Sequence, residues 1–134
     1  MSKHKRLRRE LESTEWTVNP EYTEIIISDS IRISLPEYYP FKPPTLWIHG
    51  WNHIDYLKQK YTQRKSIIQS QKYPISCICC STLLCAWSPC TTCMDVYKEY
   101  MKYTQSLHYV DILQEMIQLP LDSLILNKIS TFLL

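Results

Sequence analysis

Only one glycine, Gly50, occurs among the 134 residues. A glycine-cradled phosphate site of the P-loop or dinucleotide type is therefore not available to this chain. No apolar run approaches the roughly 20 residues that a membrane-spanning helix needs. The basic start is not followed by the apolar stretch of a secretory signal, so an intracellular protein, cytoplasmic or nuclear, is expected. Net charge is only +2. The cations that matter form one short N-terminal cluster with no aromatic platform beside it, so nucleic acid is not the expected partner, and neither is a membrane. No Ser-His-Asp set is visible.

Hydrophobic residues make up 45% of the chain and charged residues 21%, the balance of one folded domain with its own core. With glycine scarce, eight prolines supply the stiff punctuation, and four of them fall between Pro36 and Pro44. The six cysteines, in a reducing compartment, point to catalysis, metal binding or packing rather than to disulfides. The high Ile, Lys and Tyr content is what an AT-rich genome, a viral one among them, produces.

Leu7 and Leu11 share one face of a helix expected over residues 3–13. Its charges run cations first (Lys3, Lys5, Arg6, Arg8, Arg9) and anions last (Glu10, Glu12), against the helix dipole, at roughly a few tenths of a kcal/mol per charge. That end is either a solvated basic surface or a docking surface for an acidic partner. Strands are expected at 16–18, 22–28, 30–35 and 45–49, with an antiparallel hairpin about Ser28-Asp29-Ser30. Ile54, Leu57 and Tyr61 indicate a short helix followed by a loop within a 53–70 insertion. A helix over 91–107, opened by Ser88-Pro89, carries Val96, Tyr100, Tyr103 and Leu107 on one face. Two more helices are expected at 109–117 and 121–133. The order gives a single α+β domain over 1–134.

Three segments in order carry a resemblance. Lys5 to Leu11, "KRLRREL", is similar to the first helix of ubiquitin-conjugating enzymes. Tyr39 to Pro44, "YPFKPP", resembles the loop after that family's third strand. Ile78-Cys79 precedes Trp87-Ser88-Pro89 by seven residues, and Thr92 follows, as in the family's active-site segment and central helix. The resemblance spans roughly residues 3–107 and implies a UBC-like fold: N-terminal helix, antiparallel meander, active-site segment and central helix over 74–107, then C-terminal helices over 109–134. It implies acyl transfer, with Cys79 carrying ubiquitin or a ubiquitin-like protein as a thioester. The implied partners are that modifier, an activating enzyme and a ubiquitin ligase. Lys5, Arg6, Arg9, Phe41, Lys42, Ser88 and Pro89 are the residues implied to bind them. No cofactor is implied.

The family's oxyanion donor is an asparagine in a His-Pro-Asn motif eight residues before the cysteine. Gln71 stands there in this chain and carries the same amide on one more methylene. His53-Ile54-Asp55 is a second candidate for that motif, though an ionised Asp55 is a poor oxyanion donor. These departures, and the shortened hairpin, leave a second reading open: a catalytically inert variant that serves as a binding module or subunit of a larger assembly. A third reading comes from the cysteines themselves. Cys77-x-x-Cys80 and Cys90-x-x-Cys93 have the spacing of a four-thiolate zinc site. No glycine or turn residue of a zinc knuckle accompanies them, and packing is the preferred role for Cys90 and Cys93. His49, His53 and His108 read as isolated packing or surface residues. The stretch from Leu119 resembles the opening of an F-box but is too short to be a complete one. Its apolar face, Leu124, Ile125, Ile129, Phe132 and Leu133, is expected to pack on the domain or on a partner.

Overall fold

Leu7 and Leu11 set the first helix, α1 (Lys3–Leu11), in a computed structural model that describes residues 3–73 and 83–117. Leu7 is fully buried and Leu11 half-buried. The helix ends two residues before the expected position, where Thr14 turns its backbone N–H and hydroxyl onto the Leu11 carbonyl. Arg8 and Arg9 therefore lie in the last turn, where cations favour the dipole, and Glu12 and Glu15 lie outside the helix. The expected charge misfit remains in part, with Lys3, Lys5 and Arg6 in the first turn and Glu10 in the last.

Five strands follow: β1 (Thr17–Val18), β2 (Glu24–Ile26), β3 (Ile31–Ser34), β4 (Thr45–Ile48) and β5 (Trp51–Asn52). They form one antiparallel meander in the order β1-β2-β3-β4-β5. The β2–β3 register, Glu24 opposite Ser34 and Ile26 opposite Arg32, centres the hairpin on Asp29 as expected. β5 was not expected. His49 and Gly50, at φ 51° and 81°, make the two-residue left-handed turn that joins it to β4. The one glycine sits where such a turn calls for it. Alternate residues Ile25, Ile33, Leu46 and Ile48 point to the buried face.

The segment expected as a short helix and loop is an 18-residue helix, α2 (His53–Ser70), whose N-terminus is capped by the Asn52 side chain accepting from the Ile54 N–H. The expected break near residue 108 is absent. A single helix, α3 (Cys93–Ile117), runs through it, because nothing there interrupts the buried series Val96, Tyr100, Leu107, Val110 and Leu113. Its start is a reciprocal capping box rather than Ser88-Pro89: the Asp95 N–H donates to Thr92 Oγ1, and the Thr92 N–H donates to Asp95 Oδ2.

The early halves of α2 and α3 join α1 and the sheet in one core containing Leu7, Ile25, Ile33, Leu46, Leu57, Val96 and Tyr100. Their later halves make a second core of Ile68, Tyr73, Val110 and Leu113. Tyr56 and Leu57 share a cleft with Thr104 and Leu107, while Arg64 makes a two-pronged bridge to Asp111. The two helices thus run in the same direction. Among the described residues no helix is long and apolar enough to cross a membrane. Cys77, Cys79, Cys80 and the stretch from Leu119 lie outside the described residues.

Candidate functional site

The proline segment, Leu35 to Pro44, connects β3 to β4 without strand structure of its own. It is tied from both sides. Trp87 donates its indole N–H to the Pro40 carbonyl at 2.8 Å. Tyr39 is buried and donates its hydroxyl to the Glu10 carboxylate, at 2.6 Å from Oε2. The Tyr39–Pro40 peptide is cis. The loop tip is left outward: Phe41 is 74% exposed, Tyr38 is exposed, and the Lys42 ammonium lies 5.5 Å from the Tyr38 ring centre.

Glu10 is where three segments meet. Its side chain is only 7% exposed. It accepts from Arg6 Nε at 2.9 Å within α1, from the Tyr39 hydroxyl of the proline loop, and from the Cys93 N–H at 2.9 Å at the start of α3. Arg6 reaches on to the Thr91 carbonyl at 2.9 Å. A carboxylate at a helix N-terminus is favoured by the dipole, and charge-assisted hydrogen bonds are the stronger kind. Arg6, Arg9, Glu10, Cys90 and Thr92 line a cleft of about 370 Å³ beside this junction.

Of the implied partner-binding residues, Lys5, Arg9, Phe41, Lys42, Ser88 and Pro89 are all exposed. They lie on the three segments that Glu10, Tyr39 and Trp87 join. Arg6 differs from the expectation: it is half-buried and holds the junction together. Gln71 ends α2, with its backbone N–H on the Ile67 carbonyl, rather than lying in a loop. His53-Ile54-Asp55 opens α2, with His53 buried and Asp55 exposed in the first turn.

Cys93 is a packing residue. Burial pushes its thiol up to about 12, and the Sγ lies 3.3 Å from the Tyr39 hydroxyl. Cys90, three residues before Cys93, is exposed. Among the described residues no group of three or more His, Cys, Asp or Glu side chains converges as a metal site. Burial also raises Tyr39, with the neighbouring Cys93 and Glu10 adding to the effect.

Glu10 and Glu99 were not singled out in the sequence. Glu99, in the second turn of α3, accepts from the Leu83 N–H at 3.0 Å, and burial raises its carboxyl above the usual range. A glutamate within a charged run gives no local signal of such a role. The buried neighbour at Leu7, three residues before Glu10, is the one hint. In comparisons with protein-family models, curated proteins and solved structures, nothing matches this chain.

Proposed function

We propose that this chain is a divergent ubiquitin-conjugating domain of UBC-like fold. It carries ubiquitin or a ubiquitin-like protein as a thioester on Cys79, and its joined face receives the activating enzyme and a ubiquitin ligase. The observation that carries this reading is the junction at Glu10. The three segments picked out by resemblance, far apart in sequence, meet there, and Phe41, Lys42, Ser88, Pro89, Lys5 and Arg9 are exposed on them. The α+β order of helix, antiparallel meander and central helix supports the same reading.

The chemistry proposed has two steps. The Cys79 thiolate attacks the thioester carbonyl of the charged activating enzyme. A new carbon–sulfur bond forms and the activating enzyme's cysteine leaves as a thiolate. A lysine amine, or a ligase cysteine, then attacks the new thioester through a tetrahedral oxyanion, and the Cys79 thiolate is released. An attacking amine gives up its proton to solvent. Sulfur serves both as nucleophile and as leaving group. The Gln71 amide is the proposed donor to the oxyanion.

One observation favours a second reading, an inert binding module of the same fold. The position eight residues before Cys79 is the C-terminal cap of α2, in place of the family's asparagine motif. One assay separates the two readings. Incubation with activating enzyme, ATP and ubiquitin gives a thiol-sensitive adduct on a non-reducing gel, and the adduct disappears in Cys79→Ala. No adduct with any ubiquitin-like modifier leaves the binding module. No adduct together with stoichiometric zinc lost on mutating Cys77 or Cys80 leaves the structural zinc protein.

A further inference from the structure

We infer that Glu10 is a positioning residue that makes the α1 surface, the Phe41 loop and the 87–92 loop a single unit, so that none of the three holds its place without the others. The inference rests on the proposed reading of this face as a docking surface, but its structural half can be tested without any partner.

The argument starts from who donates to whom. Glu10 is the common acceptor for Arg6 Nε, the Tyr39 hydroxyl and the Cys93 N–H. Each donor belongs to a different segment, and their sequence separations from Glu10 are 4, 29 and 83 residues. The carboxylate is nearly dry, so losing it leaves two of those donors, the Tyr39 hydroxyl and the Cys93 N–H, buried without their acceptor. The remaining ties close the ring. Arg6 holds the Thr91 carbonyl, and Trp87 holds the Pro40 carbonyl. The loop tip that carries Phe41 follows Pro40 directly, and it is otherwise secured by its own turn, with the Phe41 N–H on the Tyr38 carbonyl at 2.7 Å. Among the described residues no sheet hydrogen bond reaches those between Pro36 and Pro44, so the geometry of the tip depends on Tyr39 and Pro40. An exposed aromatic held in advance of binding loses less entropy on docking than a mobile one. Release of Glu10 therefore weakens the cationic helix surface and the Phe41 tip together.

Two indole protons in the same molecule provide the test. The Trp87 indole N–H reports the junction, and the Trp47 indole N–H, bonded to Ser34 Oγ at 2.7 Å on the sheet, serves as the internal control. In Glu10→Ala, solvent exchange of the Trp87 indole proton, followed by NMR, is expected to speed up by at least about tenfold while that of Trp47 is unchanged. Glu10→Gln keeps an acceptor for Tyr39 and Cys93 but not the charge for Arg6. It should restore most of the Trp87 protection while releasing the Arg6 Nε proton. Tyr39→Phe removes only the hydroxyl and decides the matter if the alanine variant does not fold: Trp87 exchange must again rise selectively. In charging assays, Glu10→Ala raises KM for the activating enzyme more than it lowers kcat. Unchanged Trp87 exchange in Glu10→Ala, or an equal rise at Trp47, overturns the inference. A wild-type chain that never charges overturns the proposed activity instead and leaves the exchange result to stand by itself.

Discussion

His53 gives the fold a sensitivity to acid that can be worked out from its surroundings. The ring is 1% exposed at the first position of α2, and neither ring nitrogen reaches a hydrogen-bond partner in good geometry. Burial lowers it to about 4, the larger effect, against an opposing one from the Leu46 backbone. The helix N-terminus on which it sits is also the wrong end for a cation. In the unfolded chain the same ring titrates near 6.5. Between these values the unfolded state binds a proton that the folded state does not, so stability falls as pH falls. The contribution is fully present above about pH 6.5, is reduced by about 2 kcal/mol near pH 5, and is reduced by about 3 kcal/mol near pH 4. Against a total of roughly 5–15 kcal/mol for a domain of this kind, that is a large share.

The perturbation is His53→Leu, which keeps an apolar group of moderate size and removes the titration. Urea unfolding followed by tryptophan fluorescence, on both proteins near pH 7 and near pH 5, gives two differences to compare. Every other group is common to the two proteins and cancels. Wild type is expected to lose about 2 kcal/mol more than His53→Leu over that interval, and at neutral pH the variant should be at least as stable, because two unpartnered ring nitrogens are gone. Equal losses in the two proteins refute the reasoning. So does an NMR titration that puts the His53 ring near its ordinary value.

Three further outcomes follow from the same structure. Of the cysteines at positions 85, 90 and 93, the first two are exposed and Cys93 is not, so mass-spectrometric mapping near pH 8 should find a maleimide on Cys85 and Cys90 and none on Cys93 until urea unfolds the chain. Gly50→Ala meets no atom within 4 Å but must hold φ at 81°, so thermal melts should show a loss of about 1 kcal/mol from conformation alone. Leu113→Ala opens the second core, and chemical denaturation should show a loss of about 2–5 kcal/mol; a change under about 1 kcal/mol means the later halves of α2 and α3 do not fold with the rest.

What could be read along the chain, and what could not, divides by the range of the interaction. The hairpin about Asp29 was legible because Ile25, Ile31 and Ile33 alternate locally and the turn is short. The full length of α2 was not. Its inward positions run Leu57, Tyr61, Arg64 and Ile68, and a cation occupies the third. An apolar count stops at Tyr61, whereas the helix continues because Asp111, 47 residues away, neutralises an Arg64 side chain that is only 17% exposed. β5 was missed for a different reason: two residues are too few to alternate, and only His49-Gly50 marked its turn. The site follows the same division. Its outward residues were legible as motifs, each contained within a few positions. The groups that hold those motifs together, Glu10 under Tyr39 and the Cys93 N–H, act across as many as 83 positions. Periodicity has no sight of that range. A charged residue at the end of a helix can therefore look solvated in the sequence and still be the acceptor on which the surrounding surface depends.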